Sequence, residues 1–180
     1  EEISQVLDYL KKNDLDFHDL VLFTLETGAR RIEVLNLRWE HIDWKHKEIV
    51  LFGKGAKERR VPMSSRVELL LKKRGIKLHG KIFPYEHHDT ISHKWQKVMK
   101  KFGLKYRFHD LRHTTASWLV MNGIPLKVVQ ELLGHSDIRI TQIYAHLSKD
   151  YLRQAVEETF KDALNFHPEP SKVLKLPTKS

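Results

Sequence analysis

Apolar residues at the start of the chain recur every three or four positions. Ile3, Val6, Leu7 and Leu10 line one side of a helix, and Asn13-Asp14 breaks the run. The spacing predicts a second helix from about Asp16, with Leu20, Val21, Phe23, Thr24 and Leu25 turned inward and Gly28 ending it in a left-handed cap. A short third helix carries Ile32, Val34, Leu35 and Leu37. The period then changes from helical to alternating. Ile42 and Trp44 alternate with charged neighbours, Lys45-His46-Lys47 makes a turn, and Ile49-Val50-Leu51-Phe52 is a β-rich run bounded by Gly53 and Gly55. Arg59-Arg60-Val61-Pro62 reads as a returning strand that Pro62 terminates. Together these segments predict a small three-stranded antiparallel sheet.

Helical spacing resumes at Ser65 and predicts helices over 65–74, 90–102, 109–122, 125–133, 139–144 and 148–164. Gly75, Gly80 and Pro84 mark a loop, and Gly123 followed by Pro125 punctuates as a C-cap glycine and a first-turn proline do. Three of the six prolines fall after Phe166, so the tail reads as a linker or docking arm. No repeat or low-complexity tract interrupts the pattern. The expected fold class is mainly α with one small three-stranded antiparallel sheet near its start.

Composition adds a partner class. Lys and Arg outnumber Asp and Glu by 32 to 23, a net charge of +9 with His neutral, which favours a polyanion such as nucleic acid. The chain of 180 residues is long enough for one full hydrophobic core. It has no cysteine, which excludes disulfides and thiolate metal sites and fits a reducing cytosol. No apolar run approaches the length of a membrane span.

Cleaving a phosphodiester without a metal has definite requirements. Donors such as guanidiniums must face the non-bridging oxygens, a nucleophile must attack in line, and an acid must protonate the departing oxygen. Five segments supply such groups. Thr27-Gly28-Ala29-Arg30-Arg31-Ile32-Glu33 places Arg30 at the first turn of a new helix, whose positive end collects anions; alone, the arginine would read as a surface residue paired with Glu33. Gly53-Lys54-Gly55-Ala56-Lys57-Glu58-Arg59 holds Lys54 in a glycine-flanked loop that lacks the spacing of a P-loop. In His109-Asp110-Leu111-Arg112-His113, His109 and Arg112 share a helix face. Leu132-Leu133-Gly134-His135-Ser136 presents His135 on a turn, and Thr141-Gln142-Ile143-Tyr144-Ala145-His146 supplies a phenol at Tyr144. Singly, Tyr144 reads as a core tyrosine and His135 as an ordinary polar contact.

A zinc site on His109 and His113 is the rival reading. It lacks the glutamate of a zinc protease, since Asp110 stands at that position, lacks a third ligand, and would set Arg112 beside the metal. The chain also lacks the dense carboxylate cluster of a two-metal nuclease.

In order and spacing, the five segments together resemble the tyrosine recombinase, or phage integrase, family over residues 1–160. That family includes chromosome-dimer resolvases and mobile-element integrases and shares its site with type IB topoisomerases. The resemblance implies a site-specific DNA recombinase with six catalytic residues. Arg30 and Arg112 would clamp the scissile phosphate, Lys54 would act as general acid, and His109 would sit on the phosphate and assist with the tyrosine proton. His135 would donate to a non-bridging oxygen, and Tyr144 would attack to give a 3′-phosphotyrosyl link. Neither cofactor, metal nor ATP is implied. Arg31 and Ile32 depart from the family pattern, in which these positions are usually apolar and small, but Gly28 and Glu33 fix the register on Arg30.

The implied organisation is a catalytic domain over 1–165 and a tail, 166–180, that is either exchanged between protomers or free. The family's N-terminal helical domain has no counterpart in this chain. Double-stranded DNA at specific sites is the implied partner, with self-association into dimers or tetramers on it, no membrane, and a cytoplasmic, nucleoid-associated location. The alternative on the same scaffold is a DNA-binding protein without catalysis.

Overall fold

The break at Asn13-Asp14 is a helix junction. α1 (Glu2–Asn13) ends there, and the Asp14 carboxylate caps α2 (Leu15–Thr27) by accepting the Phe17 N–H at 3.1 Å. The computed structural model describes residues 2–53, 55, 57–134, 139 and 142–145. Within it α2 is the central element. Phe17, Leu20, Val21 and Phe23 are fully buried, and the helix packs against α1, α4 (Ser65–Lys73) and α6 (Asp110–Met121). A helix apolar on nearly all sides is stable only when wrapped in this way.

α3 (Arg31–Leu35) and a 3₁₀ turn (Trp39–His41) lead into the sheet, in the order β1 (Ile42–Asp43), β2 (Glu48–Phe52), β3 (Glu58–Pro62). Both pairings are antiparallel, with Ile49 opposite Val61 and Leu51 opposite Arg59. Ile49, Leu51 and Val61 are buried on the inner face. Trp44, expected in the first strand, lies instead in a turn. Asp43 causes this: its carboxylate accepts the His46 N–H at 2.9 Å, which bends the chain out of the strand after two residues.

α5 (His88–Lys101) begins two residues earlier than the pattern predicts, and α7 (Leu126–Leu133) one residue later than its proline suggests. Pro125 has an extended ψ of 139°, so it caps α7 from outside instead of occupying its first turn. The helices expected over 139–144 and 148–164 and the tail 166–180 lie outside the described residues, apart from 139 and 142–145, where Tyr144 sits in a turn.

Two apolar clusters result. The larger joins α1 to α6 and the sheet; the smaller comprises Ala116, Val120, Val129, Leu133 and Tyr144. Among the described residues no helix is long and apolar enough to cross a membrane.

Gly28 stands where the two clusters approach. It ends α2 with φ 60°, and a Cβ built there would meet Leu133 Cδ2 at 2.4 Å. Left-handed backbone and close approach both demand glycine. Gly28→Ala is therefore expected to cost about 2–4 kcal/mol, from the left-handed penalty and the overpacking together. Urea unfolding measures this, and adding Leu133→Ala should relieve only the overpacking share.

Candidate active site

The end of α2 and the end of α7 meet, and each leaves backbone carbonyls without helical partners. Three arginines from distant parts of the chain collect at these electronegative ends. Arg112, on α6 and only 3% exposed, donates through Nη1 to the Gly28 carbonyl at 2.5 Å and through Nη2 to the Leu133 carbonyl. Arg59, from β3, donates through Nη1 to the Leu132 carbonyl and through Nη2 to that of Gly28 at 3.3 Å. Arg30 donates through Nη2 to the Gly134 carbonyl at 2.9 Å.

Glu33 binds this group together. It is 1% exposed, and its carboxylate accepts from Arg59 Nη2 at 2.7 Å and Nε at 3.1 Å, from Arg30 Nη1 at 2.9 Å, and from the Arg30 backbone N–H at 2.7 Å. Burial alone would raise the Glu33 pKa, but the bonds and charges of Arg59 and Arg30 hold it below its ordinary value. One carboxylate thus faces three guanidiniums, and the excess is positive. Burial, with Arg30 and Arg59 alongside, pushes the Arg112 pKa down to about 9, so the guanidinium stays cationic at neutral pH. Such a site stabilises an incoming anion.

The positive end of a helix does not organise Arg30, as its position at the start of α3 suggests. α3 is only five residues long, and the Arg30 guanidinium turns away to the carboxyl end of α7. Its neighbour Arg31 donates to Ser92 Oγ on α5, so Arg30 is the arginine that joins the cluster. Thr115 fixes the other side of the site: its hydroxyl donates to the Leu25 carbonyl at 2.8 Å and locks α6 onto α2.

Tyr144 lies on the same side as these arginines. Its ring rests in the cluster with Leu133, whose carbonyl binds Arg112. Its hydroxyl hydrogen-bonds His113 Nδ1. Burial raises the phenol pKa, Arg112 opposes that rise, and Asp110 adds to it. His109 stands at the rim with its ring 5.0 Å from that of His113. Partial loss of water, with His113 and Arg112 nearby, lowers its pKa. Together with Arg30, Arg31, Ser92, Arg107 and Phe108 it borders a cleft of about 870 Å³.

The structure thus brings four of the six expected residues, Arg30, His109, Arg112 and Tyr144, to one side of the domain. Lys54 and His135 lie outside the described residues, although their neighbours Gly53 and Gly134 both border the cluster: Gly53 through Glu33, Gly134 through Arg59. Two residues were not singled out by the pattern. Arg59 is in phase with buried Val61 on β3, and that alternation was the available signal that it turns inward. His113 reads from the sequence only as a rival metal ligand; its Nδ1 is engaged by the Tyr144 hydroxyl, and no group of three metal-ligating side chains occurs among the described residues.

A mostly helical domain with a three-stranded antiparallel sheet is the architecture of tyrosine recombinase catalytic domains. Residues 1–151 match the phage integrase family model, and the chain belongs to that family. It is 37% identical over 155 residues to the tyrosine recombinase XerA of Saccharolobus solfataricus, covering 84% of this chain and 52% of that protein. Among solved structures it is similar to the catalytic domain of bacteriophage HP1 integrase (28% identity, TM-score 0.70, 86% of this chain and 89% of that one). It is also similar to the XerH site-specific recombinase in a post-cleavage complex with palindromic difH substrate (25% identity, TM-score 0.68, 87% of this chain and 51% of that one). The chain spans about half the length of the curated relatives it matches.

The buried charges make a stability test. Arg59→Ala leaves Glu33 short of its main partner and should cost about 3–5 kcal/mol in urea unfolding. Because the folded-state pKa of Glu33 is lowered, its contribution is complete above the ordinary glutamate value of about 4.3. That contribution is lost as pH falls through the lowered value. Glu33→Gln should flatten this acid limb of stability against pH.

Proposed function

We propose that this chain is the catalytic domain of a site-specific DNA recombinase, cleaving and rejoining strands through Tyr144. The observation that carries the reading is the phenol of Tyr144 set beside a cluster of guanidiniums that exceeds its buried carboxylate in charge. A scissile phosphate placed against Arg30 and Arg112 meets donors already held in place by helix-end carbonyls and Glu33. The Tyr144 oxygen then attacks phosphorus, a P–O bond to the tyrosine forms, and the bond to the 5′ oxygen breaks.

In this reading Lys54 protonates the departing 5′ oxygen, His135 donates to a non-bridging oxygen, and His109 sits on the phosphate. The lowered pKa of His109 keeps a neutral ring available for donating and accepting at once. The 3′-phosphotyrosyl bond keeps the energy of the broken diester, so attack by a 5′ hydroxyl of a partner strand reverses the step. Neither ATP nor a metal is then required for the bond balance. Exchange between duplexes calls for several active sites, which implies assembly of copies on DNA, with residues 1–165 as the catalytic unit and 166–180 as a segment available to a neighbour. The net charge of +9 and the similarity to a recombinase bound to its DNA substrate support DNA as the partner.

The test is covalent capture. Incubated with nicked duplexes drawn from a sequence pool, the protein should form a protein–DNA adduct, and sequencing the captured DNA should return a common site. Tyr144→Phe should abolish the adduct and leave binding intact. Arg30→Ala or Arg112→Ala should slow cleavage by about 10²–10³-fold. Binding with no adduct on any sequence would instead mark a DNA-binding protein without catalysis, and an adduct persisting in Tyr144→Phe would remove Tyr144 from its role.

A further inference from the structure

We infer that His113 is a catalytic residue, the proton acceptor for Tyr144; the assignment rests on Tyr144 being the nucleophile. The geometry begins with α6. His109, His113, Ala116 and Val120 fall at helical spacing along one face of that helix. The Tyr144 ring packs with Ala116 and Val120, and its hydroxyl ends at His113 Nδ1. The two rings are 6.1 Å apart between centroids and inclined at 41°. The helix therefore seats the phenol ring with two small apolar side chains and meets its oxygen with an imidazole one turn earlier.

Chemistry gives that contact a direction. A neutral imidazole carrying its hydrogen on Nε2 presents Nδ1 as an acceptor, and the phenol O–H donates to it. As Tyr144 Oη forms its bond to phosphorus, the O–H bond breaks and the proton passes to Nδ1, leaving His113 a cation. On rejoining, the proton returns from Nδ1 to Oη as the O–P bond breaks. No oxidant, metal or other reactant enters the balance. Asp110, three residues before His113 on the same helix, is held as a carboxylate against its partial burial chiefly by the backbone and side chain of Arg107. His109 itself is at the rim of the cleft with Arg30, where a phosphate has access. The two histidines of the motif thus divide the work: His109 faces the phosphate and His113 faces the nucleophile.

The experiment uses the full chain and a nicked duplex carrying the site recovered from its own adducts. Single-turnover cleavage by His113→Gln, which keeps a polar side chain but takes up no proton, is expected to fall by about 10²-fold or more with DNA affinity unchanged. Replacing Tyr144 with a fluorotyrosine, whose phenol is more acidic, should restore the His113→Gln rate by about tenfold or more while changing the parent rate little, since proton removal is the step His113 assists. Should His113→Gln fail to fold, the fluorotyrosine series in the parent chain still decides. A shallow dependence on phenol acidity supports assisted proton removal, and a steep rise overturns it. Cleavage by His113→Gln at or above the parent rate would make the contact a resting latch, and a loss that fluorotyrosine does not relieve would make it merely structural; both overturn the assignment. If the parent forms no adduct, or Tyr144→Phe still forms one, the proposed function fails first and takes this inference with it.

Discussion

A buried carboxylate shared between two arginines, at the meeting of two helix carboxyl ends, is the interaction on which this structure depends. Like charges about 4 Å apart repel by about 4 kcal/mol at an effective dielectric constant of 20, so the cluster of Arg30, Arg59 and Arg112 cannot be left to itself. Glu33 offsets part of that repulsion directly. The carbonyls of Gly28, Leu132, Leu133 and Gly134 offset more, because each is an acceptor its helix leaves unused. What remains is a net positive charge, with Arg30 the most exposed of the three guanidiniums. The compensation is enough to keep the fold and too little to quench the field, which is the condition an anion site needs.

The same contacts explain why the chain's far-separated segments must fold together before the site exists. Gly28 can accept Leu133 against its bare Cα only because it lacks a Cβ, and Gly134 is similarly constrained, since a Cβ there would meet Arg59 Cδ at 2.6 Å. The two glycines bring the α2 and α7 ends close enough for single guanidiniums to bridge them: Arg112 joins Gly28 to Leu133, and Arg59 joins Gly28 to Leu132. The donors are thus positioned by the fold itself, before any ligand arrives. Preorganisation of this kind is what lowers a barrier in which charge builds on phosphate oxygens.

Much of this arrangement is legible locally. Gly28 reads as a cap because the apolar period of α2 stops there, β2 reads from its β-rich run before Gly53, β3 reads as the returning strand that Pro62 ends, and Arg30, Arg112 and Tyr144 read from their places in short ordered motifs. What the sequence hides is long-range partnering. Arg59 looks like a solvated strand arginine until Glu33, 26 residues away, is seen to lie beneath it. Arg30 looks like an anion ligand at the start of α3, yet the partner that orients it, Gly134, is 104 residues distant. Trp44 fits an alternating strand by period alone, but the Asp43 side chain captures the His46 N–H and wins the competition for the backbone. Lys54 and His135 remain sequence expectations, since they lie outside the described residues.

α6 serves both halves of the site. Adjacent residues on a helix point about 100° apart, as 3.6 residues per turn requires. Arg112 and Thr115 therefore turn toward the end of α2, while His113, Ala116 and Val120 turn toward Tyr144. A single element presents Arg112 on one face and the seat of the phenol on the next. Leu133 connects the two faces from the other side, giving its carbonyl to Arg112 and its side chain to the cluster around Tyr144. The seat that receives the phenol is thus fixed relative to Arg112 by helix geometry and by the Thr115 lock onto α2. The in-line attack proposed for Tyr144 would draw on that arrangement, because rotating α6 enough to displace His113 and the phenol's seat would first have to break the buried contacts of Arg112.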